Sequence, residues 1–445
     1  MSMNEEIIKL RENRDYAASR ELIEGMNIVD IAAELEEMDK HAAIETFRMM
    51  PKGKATDVFA YLSREMQHYI IETITDPEIK IIIDDLFLDD AVDFIEEMPA
   101  NIVKRVLANA TRDHRDLINK FLKYPKDSVG SIMTIEFVDL DADYTVAQAF
   151  EEIRKTGIDK ETIYTCYVID QDRKLLGAVS ARALLLAGQS TKITEIMDPN
   201  IIYANTTDDQ EALTINFKKY DLIAMPVTDN EHRLVGIVTA DDVFDVQTEE
   251  ATEDFEIMAA ITPSEDPYLK TSILKLTKNR IFWLMLLMLS ATLSGAVISG
   301  FEDALTVVPA LIAFIPMLMN TAGSAGSQSA VMIIRGMALD EIKTPDLLAV
   351  WWKEIRVAVL CGAGLVVVNF LRIVITNRDM ILALTVSLAL YATVIVAKSV
   401  GCILPMAARK LKVDPAVMAA PIITTVLDAV TLIIYLNLAR IIIAI

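Results

Sequence analysis

The sequence predicts a multidomain protein: an all-α helical superhelix domain, an α/β domain made by duplication, and a five-span α-helical membrane domain. Three observations predict it. Apolar residues recur at three- and four-residue intervals from Ser2 to Leu122; a strand, Gly turn, strand, helix pattern occurs twice between Asp127 and Gln247; and charge-free apolar runs dominate residues 271–445.

In the first region, Ile31, Leu35 and Met38, and likewise Val92, Ile95 and Met98, mark one face of a helix. The segments IAAELEEM, DVFAYL and AVDFIEEMP share a patterning that suggests stacked helices without a strict period. The second region contains a visible repeat, KLLGAVSARALLLA (Lys174–Ala187) and RLVGIVTADDVFDV (Arg233–Val246), with Gly177 and Gly236 as the matching glycines. The expected domains are 1–126 (helical), 127–246 (duplicated α/β), 247–270 (a connecting helix) and 271–445 (membrane).

Ile281–Gly300 and Ala304–Ile334 carry no charge over 20 and 31 residues. At about 1.5 Å per residue the first crosses a hydrocarbon core of about 30 Å and the second exceeds it. Val357–Thr376 is interrupted only by Arg372, Met380–Ala408 only by Lys398, and Pro415–Ala439 only by Asp428, giving five spans. Pro309, Pro316 and a Gly/Ser run make the second span a candidate for a broken or re-entrant segment, where a pathway would lie. Lys270, Lys275, Lys278 and Arg280 precede the first span; Arg335, Lys343, Lys353 and Arg356 separate the second and third; Arg409, Lys410 and Lys412 separate the fourth and fifth. The positive-inside rule then places residues 1–270 in the cytoplasm and the C-terminus outside. The polar start MSMNEEIIKLRENRD has no apolar core, so no signal peptide is expected.

Charge divides the chain as sharply as hydropathy does. Residues 1–270 hold 28 Lys and Arg against 55 Asp and Glu, and residues 271–445 hold 14 against 9, within an overall formal charge of −22. A strongly acidic half repels phosphates and attracts cations, so nucleic acid is excluded as a partner. Cys166, Cys361 and Cys402 stand far apart with no Cys/His spacing, so neither a zinc site nor a disulfide framework is expected. No nucleophile–base pair, metal-hydrolase spacing or phosphate loop points to an enzyme.

Asp428 is the one carboxylate expected inside a span, about 20 Å along a helix that starts at Pro415. An acid at membrane depth costs on the order of 3 kcal/mol on insertion scales, so it faces water or a partner. It would either meet a passing cation or, protonated, hydrogen-bond a neighbouring helix. A hard, oxygen-seeking cation suits the first reading, whereas a softer metal would call for Cys or His, and residues 271–445 hold no His. Asn320–Gln328 (NTAGSAGSQ) can present hydroxyls and backbone carbonyls, with Gly323 and Gly326 allowing close helix approach; small-residue packing accounts for the glycines equally well. Thr424 lies one turn from Asp428 on the same face. Asp241, Asp242, Asp245, Glu249, Glu250, Glu253 and Asp254 crowd 14 residues, as a solvated acidic face or as a cation sensor. Asp414 is either a helix cap before Pro415 or a further cation ligand.

The duplicated unit resembles the cystathionine-β-synthase-type (CBS) pair, a regulatory module that often holds a nucleotide or metal. Its ribose motif is matched by Gly236, Thr239 and Asp242 in the second repeat; in the first, Gly177 and Ser180 are followed by Ala183 where the acid belongs. At most one adenosine site, for ATP, looks complete. With YPKDSVGSIMT (Tyr124–Thr134), VFDVQTEEATEDF (Val243–Phe255), PMLMNTAGSAGSQSAVMIIRG (Pro316–Gly336) and DPAVMAAPIITTVLDAVTLIIY (Asp414–Tyr435), the whole chain resembles the MgtE family of magnesium channels.

That resemblance implies a homodimer in the cytoplasmic membrane, with an ion pathway between two membrane domains and Mg²⁺ as both cargo and regulator. It implies a pore lined by Asp428, Thr424, Asn320, Gly323, Gly326 and Ser327. It implies regulatory Mg²⁺ sites that pair Asp221 with Asp245 and Asp89 and Asp90 with Asp242, and that use Glu250, Glu253, Asp254 and Asp414, with Asp209 and Glu211 as further candidates. Ser324, Ser327 and Ala322 depart from the family's usual Asn and Gly, and Ala429-Val430 from its Thr-Gly, which leaves selectivity over Mn²⁺, Co²⁺ and Ni²⁺ open. The alternatives are a broader divalent-cation transporter and a membrane-anchored nucleotide sensor.

Overall fold

The computed structural model describes residues 16–96, 98–264, 268–269, 271–418 and 420–443. The polar start 1–15 and Lys270 lie outside the described residues. Contacts divide the chain into two compact units, 1–247 and 248–445.

Among the described residues the first unit begins with nine short helices, α1 (Tyr16–Glu24) to α9 (Arg112–Phe121). Contrary to the expectation of an irregular repeat, they are strictly periodic: α2 to α9 start at Ile28, Lys40, Lys52, Arg64, Asp76, Leu88, Ala100 and Arg112, twelve residues apart. The device is a two-residue link. Met38, Met50, Ile74, Leu86 and Ala110 each end a helix in extended conformation and are buried, as are Leu62 and Met98 at the same point of the repeat. The next residue starts the new helix: Asn27, Asp39 and Ser63 accept hydrogen bonds from first-turn N–H groups, and Thr75 forms a capping box with Glu78. The links thus bury an anchor, and those at Asn27, Asp39, Ser63 and Thr75 also supply a cap, whereas Pro51, Pro99 and Thr111 make no side-chain cap hydrogen bond.

The rest of this unit is two matching three-stranded sheets. β1 (Phe137–Asp141) is parallel to β2 (Thr162–Ile169), which is antiparallel to β3 (Leu175–Ser180); β4 (Ala204–Asn205), β5 (Ala224–Thr228) and β6 (Leu234–Thr239) repeat the arrangement. Both halves carry a register shift at the same point, between Val168 and Ile169 and between Val227 and Thr228. α10 (Val146–Thr156) and α11 (Ala181–Leu186) belong to the first half; α12 (Ile193–Ile196) precedes the second, and α13 (Gln210–Tyr220) belongs to it. The halves are laced together: Thr134, ahead of the first, pairs with Ile237 on β6, and Asp198, ahead of the second, pairs with Ala178 on β3. This lacing requires the two repeat glycines. A Cβ on Gly177 would lie 2.7 Å from the Asp198 carbonyl oxygen, and one on Gly236 2.8 Å from that of Thr134. One apolar core runs from the helices into the second half, through Val129, Met133, Leu213, Phe217, Met225 and Val243.

α14 (Ala240–Met258) starts inside the second repeat and continues across residue 247, so the connecting helix begins earlier than expected and ends by Met258. Thr239 and Asp242 account for its start, as described below.

The second unit holds five helices long and apolar enough to cross a membrane, at 273–299, 309–338, 344–377, 380–410 and 415–443. Its elements are α15 (Ile273–Ser299), the short α16 (Glu302–Val307), α17 (Ile315–Ala338), α18 (Leu347–Asn377), α19 (Met380–Lys410) and α20 (Ala420–Ile443). The second span is broken where Pro309 predicts, by a 3-10 turn over Pro309–Phe314. The buried Tyr435 hydroxyl donates to the Leu311 carbonyl at 2.9 Å, satisfying a backbone group that the break frees. The Gly/Ser run itself is regular α-helix, because Pro316 sits in the first turn of α17, where its missing N–H costs nothing. Its carbonyls are thus engaged in the helix. A correction concerns charge. α18 starts at Leu347, ten residues before the apolar run that marked it, and carries Glu354 into the helix.

Candidate ion pathway and metal-binding carboxylates

In the membrane unit, α17 has two unlike faces. Ala322, Gly323, Ala325, Gly326, Ser329 and Ala330 are buried. A Cβ on Gly323 would lie 2.7 Å from Thr424 Cγ2, and one on Gly326 would lie 2.3 Å from Leu427 Cδ1 and 3.2 Å from the Ala397 carbonyl oxygen. Gly401 of α19 closes the same crossing, its missing Cβ leaving room for the Gly326 carbonyl. The glycines therefore serve helix approach. The other face carries Asn320, Ser324 and Gln328, all exposed, and half-buried Ser327: positions i, i+4, i+7 and i+8, one continuous polar stripe. A polar stripe on a membrane helix faces water or protein rather than lipid.

Asp428 is half-buried on α20, and Thr424 one turn away packs on Gly323. Thr425, beside Thr424, donates to the Pro421 carbonyl and approaches Ser290 of α15 at 3.3 Å. Among the described residues no side chain bonds to or pairs with Asp428. The interhelical hydrogen bond that would make it merely structural is therefore not formed among the described residues.

Glu354 was not anticipated as an intramembrane acid. It is 16% exposed at the side chain, accepts from the Ser329 hydroxyl at 2.6 Å and lies 3.8 Å from Lys398 Nζ, itself 7% exposed.

The first unit gathers acids differently. Asp89 and Asp90 occupy the first turn of α7 (Leu88–Glu96), Asp241 and Asp242 the first turn of α14, where a helix dipole favours negative charge. The fold brings these termini together. Burial, then the Asp242 charge, holds the Asp89 carboxyl well above its usual range; the same causes push Asp90 to about 6. Burial raises Asp242 to about 6, against the hydrogen bond from Thr239. Two further acids, missed in the sequence, join them: Glu136, and Glu161, which burial, Asp241 and Asp242 push to about 7. They lie just before β1 and β2, far from any acidic run, so only the tertiary fold reveals them.

Asp242 also has a local task. It accepts from the Thr239 hydroxyl at 2.7 Å and backbone N–H at 3.4 Å, a capping arrangement that starts α14. Ser180 caps α11 alone, through the Ala183 N–H at 3.1 Å. The difference between the repeats is thus the acid at the third helical position.

Along the rest of α14, Asp245 is raised by burial and then by Asp241, not by Asp221. Asp221 is exposed and ends α13 in the left-handed conformation. Asp209 caps α13 and accepts from the Glu211 N–H at 2.8 Å. In the second unit burial pushes Asp254 to about 6, followed by the charges of Asp414, Glu250 and Glu253. Asp414 also caps the following turn, accepting from the Ala416 N–H at 2.8 Å. Among the described residues no group of three or more His, Cys, Asp or Glu is placed to hold a metal ion.

Family models match parts of all three regions of the chain. The family model described as a divalent cation transporter matches residues 315–438, the MgtE intracellular N domain matches 26–127, and the CBS domain matches 129–190 and 193–249. The chain is 34% identical to the magnesium transporter MgtE of Thermus thermophilus over 96% of its own length and 95% of the relative's. It is 31% identical to the magnesium transporter MgtE of Bacillus subtilis, over 97% and 95%. Among solved structures it resembles the soluble part of a magnesium transporter (27% identity, TM-score 0.54, 56% of this chain and 98% of that one). It also resembles the cytosolic domain of the Mg²⁺ channel MgtE in complex with ATP (33%, TM-score 0.52, 54% and 98%). The chain belongs to the MgtE family of magnesium transporters.

Proposed function

We propose that this protein is a Mg²⁺ channel for uptake across the cytoplasmic membrane, formed by two copies and closed by Mg²⁺ bound to its acidic cytosolic unit. The observation that carries the pathway is the pairing of an unpartnered intramembrane carboxylate, Asp428, with the exposed stripe Asn320, Ser324, Ser327 and Gln328. One copy leaves both open on its surface; a second copy would turn them into a shared channel with two carboxylates for one cation. Such groups meet hydrated Mg²⁺ through its water shell, which fits a site with hydroxyls, amides and carboxylates and no His or Cys. The basic residues flanking the spans support a cytoplasmic acidic half and an external C-terminus.

Regulation rests on the cluster of Asp89, Asp90, Glu136, Glu161, Asp241 and Asp242, supported by Asp254 with Glu250, Glu253 and Asp414. Crowded, partly buried carboxylates repel, and a divalent cation relieves the repulsion only in the compact arrangement. Mg²⁺ therefore stabilises that arrangement by its differential affinity, and scarcity of Mg²⁺ releases it and opens the pore. ATP would draw on Gly236, Thr239 and Asp242, sharing a carboxylate with the sensor.

Liposome flux tests the reading: Mg²⁺ should enter through the reconstituted full chain, with competition by Mn²⁺, Co²⁺ and Ni²⁺ measuring selectivity. Equal flux of all four would favour a general divalent-cation transporter, and no flux would leave the spans as an anchor.

A further inference from the structure

Ser329, Glu354 and Lys398 form a polar knot between three membrane helices. Lys398 Nζ of α19 donates to Ser329 Oγ of α17 at 3.2 Å, Ser329 Oγ donates to Glu354 Oε2 of α18 at 2.6 Å, and the Lys398 and Glu354 charges lie 3.8 Å apart. Both charged side chains are largely withdrawn from their surroundings, at 7% and 16% exposure. Such groups persist inside a membrane protein only when each satisfies the other, so the knot ties the three helices at one level.

Its position gives it a consequence for transport. Ser329 lies one turn beyond Gly326, and Lys398 one turn before Gly401, on the two helices that cross through those glycines. A glycine crossing is held by close van der Waals contact, which is non-directional and resists sliding along the helix weakly. Hydrogen bonds at fixed distances and angles do resist it. The axial position of α17, and with it the height of Asn320, Ser324 and Ser327 relative to Thr424 and Asp428, is therefore set by the knot rather than by the crossing.

We propose that Ser329, Glu354 and Lys398 are positioning residues that fix the α17 stripe and thereby set which divalent cation passes. The proposal rests on reading that stripe as the ion filter. Hydrated Mg²⁺ has a rigid octahedral shell, and a shift of the ligands along the helix would penalise it more than a cation with more adaptable coordination.

The test uses the full chain in liposomes, with the Mg²⁺-to-Co²⁺ flux ratio taken per inserted protein and a melting curve in detergent recorded beside it. Ser329→Ala, Glu354→Gln and Lys398→Met should each shift the ratio by about tenfold, a normal coupling for residues in one network. The exchanged pair Glu354→Lys with Lys398→Glu should bring it most of the way back. Lower melting temperatures with an unchanged ratio would reduce the knot to a structural staple and overturn the proposal. Should the charge variants fail to insert, Ser329→Ala decides alone, since it strands no charge of its own. Asn320→Ala separates the two levels: if it moves the ratio and the knot variants do not, only the positioning role falls, and if neither moves it the filter reading falls as well.

Discussion

Asp428 and the Asp89–Asp90–Asp242 group are both carboxylates without a cationic side chain as partner, yet they are built in opposite ways. Asp428 is solitary, on a helix otherwise free of charge until Arg440, with small polar groups near it. The cytosolic acids are crowded, each raised by burial and by its neighbours. A solitary acid offers a cation a site it can leave, which conduction requires. A crowded group gains so much from a cation that the cation alters which conformation prevails. The same residue type thus serves passage in one unit and sensing in the other, and the number of neighbouring charges decides which.

Removing the solitary acid should give the largest effect. Asp428→Ala should lower Mg²⁺ flux by about a hundredfold, equivalent to losing two charge-assisted contacts of about 1.5 kcal/mol each in the pore. The variant should still insert and assemble, because no described side chain depends on it. Near-normal flux from correctly inserted protein would move the pathway elsewhere.

Neutralising the crowded acids should act in the opposite sense on stability. Asp89→Asn combined with Asp90→Asn removes like-charge repulsion, so the cytosolic unit should melt higher without Mg²⁺, by about 2–4 °C for each kcal/mol relieved. Its Mg²⁺-dependent protection from proteolysis should shrink at the same time. Unchanged Mg²⁺ dependence would mean that these acids are a solvated face and nothing more.

Acid should mimic the same relief. Asp90 and Asp242 stand near 6 and Glu161 near 7, all raised above their unfolded values. A carboxyl with a raised folded pKa binds its proton more tightly in the folded state, so its stabilising contribution is complete below about pH 4 and is lost as pH rises through 6 to 7. Without Mg²⁺, the melting temperature should fall as pH is taken from 5.5 to 8, and saturating Mg²⁺ should flatten the slope by replacing the protons. A slope of the opposite sign would show that other groups dominate.

The contrast also explains what the sequence reveals and what it hides. The five spans are legible because apolar runs are long and local, and Asp428 because it interrupts one of them. The twelve-residue period is hidden, although strict, because the repeated anchor is Met, Leu, Ile or Ala and the repeated cap is Asn, Asp, Pro, Ser, Thr or Phe. Burial and backbone conformation repeat there, while identity does not. Glu136 and Glu161 are hidden because their role comes from the strands that follow them, not from adjacent acids. Glu354 is hidden because a helix can start well outside the membrane-competent run that marks it.

The smallest effect, and the finest test of the comparison, concerns the two CBS repeats. Their backbones share the shifted strand register and the laced glycines, and the side chains that follow differ. The acid at the third helical position is present as Asp242 and absent as Ala183. A ribose needs a carboxylate that accepts from its hydroxyls, and Asp242 already accepts from Thr239 and faces Asp89 and Asp90. Calorimetry should therefore find at most one adenine-nucleotide site per chain, abolished by Asp242→Ala, and two equivalent sites would contradict the assignment. Because one carboxylate serves both ligands, Asp89→Asn with Asp90→Asn should alter nucleotide affinity through the charge at Asp242, with which both acids interact. No change in affinity would show that the ribose site and the acidic cluster are independent, and that Asp242 belongs to only one of them.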